Sequence, residues 1–298
     1  MKKRLLSAAI MAALTISTAT AFAGPVITGD AQTMIQTTKG SGDYSDARIR
    51  LNFDFDMGEG MYAHARLMGI DQQMQGTGLN YAEAGTGSKG SEVNMEQMYI
   101  GSKIGQVDAK FGRQPVAVGQ GMLADVNGIQ GISMTGKAGD FNLYGFGGRS
   151  VKDDVLAASI DTKVQAVDMG AGYLKREDNK YWSVNAGGKV AENVGLTGVY
   201  MKNNNAKADG YMIKATVGEV ATKGDFSYAV SFRDIENNAV DADWVTNGAF
   251  ADSKGVRLEA KYKPTNNATL WVYQDITKKS SDASVKPNQF RAELDFNF

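Results

Sequence analysis

The chain has no cysteine, one histidine and only four prolines among 298 residues. Without cysteine it can form neither disulfides nor thiolate metal sites. His64 is its sole imidazole, so a multi-histidine metal cluster is excluded, and a serine–histidine hydrolase would have to use that one residue. No apolar run reaches the ~20 residues that a helix needs to cross a bilayer. Nor does one sign of charge dominate, with 32 basic residues against 33 acidic ones. Nucleic-acid binding, which wants a clustered basic surface, is disfavoured. The runs Gly145-Phe146-Gly147-Gly148 and Gly119-Gln120-Gly121 lack the strand-to-helix setting of a phosphate loop.

What is present begins with an export signal. Lys2, Lys3 and Arg4 precede an apolar core from Leu5 to Leu14, and Ala21-Phe22-Ala23 supplies the small-x-small cleavage pattern. Residues 1–23 are therefore expected to be removed, leaving 24–298 as one working domain. Taking those three cations from 32 leaves 29 against 33 acids, a net charge of −4. An exported chain without disulfides needs another way to hold itself together. A closed barrel is one, because each of its strands pairs on both sides.

Period-2 alternation dominates the rest. Ala47, Ile49, Leu51, Phe53 and Phe55 share one face, against Arg48, Arg50, Asn52, Asp54 and Asp56 on the other. Val256, Leu258, Ala260 and Tyr262 alternate in the same way with Arg257, Glu259, Lys261 and Lys263. One face suits lipid and the other water, which fits the mean hydropathy of −0.30. Strands are expected near 26–38, 46–56, 60–70, 93–103, 107–114, 130–137, 141–149 and 153–161. They continue near 164–176, 180–190, 193–203, 208–219, 224–234, 254–263, 267–277 and 288–298. The expected fold is an all-β transmembrane antiparallel barrel of sixteen strands, or fourteen if 130–137 and 153–161 fail. Short turns alternate with long linkers at 71–92, 115–130, 235–253 and 278–287, the pattern of periplasmic turns and external loops. No plug-sized region precedes the first expected strand, which weighs against an energised, gated transporter.

Near the C-terminus, Phe290, Ala292, Leu294, Phe296 and Phe298 share one face. This segment resembles the terminal strand of bacterial outer-membrane proteins, which implies recognition of Phe290, Leu294, Phe296 and Phe298 by the barrel-assembly machinery. The stretch from Glu96 to Gln114 contains Tyr99-Ile100-Gly101 and, after a brief turn, Phe111-Gly112-Arg113-Gln114. It resembles a hallmark of the general, non-specific bacterial porins, and Ala47-Arg48-Ile49-Arg50-Leu51 is similar to an earlier strand of that family. The resemblance implies sixteen strands, a homotrimer with 71–92 latched over a neighbour, and a third external loop folded into the lumen. That loop would be 115–130, where Asp125 is the only charge.

Arg48, Arg50, His64 and Arg66 fall on polar faces, where a charge stays hydrated instead of costing ~2–4 kcal/mol in lipid. With Lys110 they are the expected pore lining. The family pattern also needs Arg113 inward, which strict alternation allows only with a bulge or bend at Gly112. Asp54, Asp56, Glu96, Asp108 and Asp168 are candidate luminal acids that would dilute an anion preference.

The expected function is passive diffusion of small hydrophilic solutes and ions through the outer membrane. It requires no cofactor, with lipid as the surrounding partner. A substrate-specific channel and a structural or adhesive barrel are the alternatives. An outer-membrane hydrolase using His64 comes last, since such an enzyme needs its base on the lipid side.

Overall fold

The computed structural model describes residues 24–40, 42–75, 92–151, 153–245 and 251–298. The expected export signal at 1–23 and most of the linker expected at 71–92 lie outside these residues. Alternating side chains give the backbone two usable faces, and the chain uses both by closing on itself. The strands are β1 (Val26–Thr38), β2 (Gly42–Gly58), β3 (Met61–Gln75), β4 (Glu92–Ile104), β5 (Val107–Val118), β6 (Ala124–Ala138), β7 (Phe141–Arg149) and β8 (Asp154–Val164). They are followed by β9 (Val167–Arg176), β10 (Asn179–Ala191), β11 (Val194–Asn203), β12 (Ala208–Gly218), β13 (Phe226–Ile235), β14 (Ser253–Thr265), β15 (Ala268–Lys278) and β16 (Gln289–Asn297). All sixteen are antiparallel neighbours in one closed barrel.

Closure is made by β1 against β16, with Met34 opposite Glu293 and Thr37 opposite Phe290. At the lower end of this seam Gly29 and Phe298 exchange two backbone hydrogen bonds of 2.7 and 2.9 Å. The Phe298 ring lies over Gly29 so closely that a Cβ there would meet it at 2.6 Å. Glycine at position 29 is what lets the ring lie flat on the seam.

The two faces separate cleanly. Ile49, Ile100, Phe111, Ile132, Val184, Leu258 and Phe296 are all exposed on the outside. The residues between them turn inward, so that Gln97, Ser133, Ser183, Arg257 and Glu293 are buried. Exposed apolar side chains around a closed sheet are the expected signature of a wall surrounded by lipid.

One rim carries short turns, at 59–60, 105–106, 139–140, 165–166, 192–193 and 266–267, with a longer one at 219–225. The other carries long connections, 236–252 and 279–288 among them, close to the expected 235–253 and 278–287. Two expectations need correction. Residues 115–130 are not a loop: β5 runs to Val118, β6 starts at Ala124, and only 119–123 turn. The linker expected from 71 starts later, because β3 continues to Gln75.

Gly29→Val should force the Phe298 ring off the seam at a cost of ~1–3 kcal/mol, typical of overpacking. The check is the thermal midpoint of the refolded barrel, followed by heat-dependent electrophoretic mobility; an unchanged midpoint would refute this account of the seam.

Candidate functional site

The interior is shaped by the place where β5 and β6 leave the wall. Pairing of β4 with β5 ends at Met98–Arg113, whereas β5 and β6 stay paired as far as Val118–Ala124. Gly112, at φ +137°, makes the bend, and a Cβ there would meet the Tyr99 Cα at 2.8 Å. The β5–β6 register also shifts between Gln114 and Val116. Once β5 departs, the edge of β4 loses its partner, and Arg113 Nε donates to the Glu96 carbonyl at 3.2 Å. The bend expected at Gly112 is therefore present, and it brings Arg113 onto the β4 edge at the root of the hairpin.

The freed hairpin crosses the interior. Its tip, Gly119-Gln120-Gly121, has three successive positive φ angles of 64, 54 and 77°. A Cβ on Gly172 of β9 would lie 2.9 Å from the Gly119 amide nitrogen, and one on Gly119 would lie 2.5 Å from Ser183 Oγ of β10. These close approaches dock the hairpin on a wall several strands away. Val116, Val118, Met122, Leu123 and Ala124 are buried there with Phe146, Val155, Leu174, Tyr181 and Met201. Pro115, Ala117 and Asp125 lie on the hairpin's exposed face. Segment 115–130 thus enters the lumen as a β-hairpin.

The β13–β14 connection completes this apolar cluster. Ala239, Val240, Trp244 and Val245 belong to it, and the Trp244 carbonyl accepts the Asp125 N–H at 2.6 Å. Arg176 latches the connection: its Nε donates to Asp153 at 2.9 Å, its Nη1 to Asp241, and its guanidinium lies 5.2 Å from the Trp244 ring centre. Burial pushes the Asp153 carboxyl up, but hydrogen bonds from Glu177 and Arg176 outweigh it and leave it below the usual carboxylate range. Glu177 is raised by that same hydrogen bond to Asp153.

The opposite side of the interior is charged. Arg50 meets Glu96 through two contacts, Nε to Oε2 at 3.0 Å and Nη2 to Oε1 at 3.1 Å. Arg66 Nη1 approaches the same carboxylate at 3.6 Å, and its Nε donates to Asn52 at 2.6 Å. Arg48 lies on the inner face of β2 beyond Arg50, opposite Gln32 of β1. His64 Nδ1 is 2.7 Å from Asp54, and its ring stacks on Tyr99 at 4.9 Å. Lys110 lies over the other side of this group, 5.2 Å from the Tyr99 ring centre. The structure therefore brings Arg50, His64, Arg66, Lys110 and Arg113 to one region of β2–β5, with Arg48 adjoining. Asp125 stands apart, on the hairpin.

Glu96, expected among the luminal acids, is the hub of this group. The β3–β4 register slips between Arg66 and Leu67, so Glu96 is the extra residue of a bulge and turns inward beside Gln97. A second charged group was not singled out by sequence. Asp275 of β15 receives Arg257 at 2.6 and 2.8 Å and Arg233 at 3.1 Å, with Tyr273 3.8 Å from the Arg257 guanidinium. Consecutive hairpin pairing of β13, β14 and β15 sets these residues side by side, with Arg257 the direct partner of Asp275.

Solved structures share this architecture at low sequence identity. An engineered variant of the Rhodobacter blastica porin has a TM-score of 0.64 at 13% identity, over 92% of this chain and 100% of the other. OprB of Pseudomonas putida, in a low-pH structure, scores 0.67 at 12% identity, over 92% of this chain and 93% of that one. No family model and no curated protein sequence matches the chain. What is shared with these outer-membrane porins is the fold, a closed barrel of sixteen strands.

Trp244→Ala should remove the centre of the interior cluster and cost ~3–5 kcal/mol. Limited proteolysis would then cut within 236–252, while the wild type resists. Asp153 titrates below its unfolded value, so its contribution is complete above that value and fades as pH falls through the folded one. Acid should accordingly loosen the same connection, and pepsin sensitivity across a pH series reads it.

Proposed function

We propose that this protein is a passive diffusion porin of the outer membrane, exported by its N-terminal signal and assembled as a homotrimer. The observation that carries the reading is the division of the barrel interior. On one side the hairpin of β5 and β6 fills the lumen against β7–β11. On the other, charged side chains keep contact with solvent although they sit inside a closed sheet: side-chain exposure is 15% for Arg50, 22% for Arg66 and 26% for Asp30. A solvated, charged strip facing a docked hairpin is what a narrowed aqueous channel requires. The exposed apolar outer wall and the fold shared with known porins support the same reading.

Selectivity follows from the pairing. Arg50 and Arg66 converge on Glu96 and Arg50 also lies 3.9 Å from Asp30, so with Arg48 adjoining three cations face two carboxylates and a weak net preference for anions remains. The reading predicts large, ohmic openings in planar bilayers, in steps of three, with a modest anion-leaning reversal potential in a salt gradient. Conductance that saturates with one solute would favour a substrate-specific channel, and absent openings would leave a structural barrel.

Glu96→Gln removes the carboxylate while keeping the shape of the side chain. The anion-to-cation permeability ratio should rise by a factor of roughly 2–5, because Arg66 then loses its paired carboxylate and Arg50 keeps only Asp30, 3.9 Å away. A ratio that does not move, in a variant that folds normally, would remove Glu96 from the conducting path.

A further inference from the structure

We propose that the outer wall of β9–β11, at its long-loop rim, binds the phosphate of a lipid headgroup through Lys175, Lys180 and Lys202. The inference rests on the reading that a bilayer surrounds the barrel. Lys175 and Lys180 are direct cross-strand partners, and Lys202 is the partner of Trp182, one step further along β10. All three lie on the face that carries Met169, Val184 and Leu196, each exposed, while the intervening Leu174, Tyr181 and Met201 are buried inside. The lysines therefore point out of the barrel, above its apolar band and next to the turns at 177–178 and 204–207.

Like charges placed directly opposite each other on paired strands repel, so this arrangement calls for a counter-anion. The carboxylates close to these lysines in sequence and register form no ion pair with them. Asp209, opposite Lys202, accepts the Tyr200 hydroxyl at 3.2 Å, and Glu177 lies in the 177–178 turn. Asp178 shares that turn with it. Among the described residues none of the three lysines forms an ion pair. Lys163 and Lys189, on the inner face at the other rim, are matched within the chain, Lys163 with Asp168 at 3.2 Å and Lys189 with Glu219 at 3.6 Å.

Below the lysines is an aromatic shelf. Tyr173 is the direct partner of Trp182, whose ring is tilted 5.3 Å from that of Tyr200. Trp182 Nε1 donates to Asn204 Oδ1 at 3.2 Å, its polar edge toward the rim. Aromatic residues with one wet edge mark the headgroup depth of a barrel wall. From rim to midplane the surface therefore runs cationic, aromatic, then apolar, which is the order of a phosphate-bearing lipid lying alongside with its chains down.

The full chain, reconstituted in phosphatidylcholine nanodiscs doped with lipid A, gives the test, with lipid A retained per barrel read by native mass spectrometry. Wild type should retain it. The combined Lys175→Gln, Lys180→Gln and Lys202→Gln variant should lose affinity on the order of 100-fold, as three interfacial cations imply. A Lys163→Gln, Lys189→Gln control should match wild type. Lipid A stripped of its phosphates should bind wild type no better than it binds the triple variant. Equal retention of intact lipid A by the triple variant, or undiminished binding of the stripped lipid to wild type, overturns the proposal. Conductance of the same preparations reports separately on the pore: barrels that hold lipid A but pass no current would sink the porin reading alone, and failure to insert would sink the membrane reading.

Discussion

The backbone hydrogen-bond ladder governs everything else in this molecule. A strand edge left open in hydrocarbon costs several kcal/mol per unsatisfied group, so a sheet surrounded by lipid must close. Closure of β1 on β16 meets that demand around the circumference. The demand returns inside the barrel wherever a strand leaves the wall. At the departure of β5 from β4 it is met by the Arg113 side chain, which replaces the missing strand partner of the Glu96 carbonyl. A residue that reads as a charge for ions therefore also serves the ladder.

Closure further dictates how the two halves of the interior differ. Strands β7–β11 turn apolar side chains such as Phe146, Leu174 and Met201 inward, and these are buried only because the hairpin and the β13–β14 connection cover them. Strands β2–β4 and β13–β16 turn charges inward, and these are paired, Arg50 with Glu96 two strands away and Arg257 with Asp275 on the next strand. The apolar half fixes the position of the hairpin. The charged half keeps company with water or with its own partners.

Much of this was legible in the sequence. All sixteen strands follow from alternation, and Arg48, Arg50, His64 and Arg66 follow from it as inward residues. The failures have physical causes. Residues 115–130 read as a loop because Pro115, Gly119, Gly121 and Gly128 interrupt the pattern, yet glycine is what a hairpin needs to bend off the wall and turn tightly. Strand 153–161 read weakly because Val155, Leu156 and Ala157 are apolar on both faces, and its inner face is covered by a segment distant in sequence. Glu96 was placed among the acids but not recognised as a hub, since a one-residue bulge is invisible to strict alternation. The Asp275 group depends on the register of β13, β14 and β15, which alternation within single strands does not give.

The uneven filling of the lumen has a consequence for how such a protein can change over time. The strands against which the hairpin tip packs are not those that carry the arginine–glutamate strip. Substitutions that recharge β2–β4 leave the cluster around Leu174 and Trp244 intact, and changes in that cluster leave the charged strip in place. Architecture and luminal charge therefore occupy separate sectors of one wall, and a lineage can revise either without first dismantling the other.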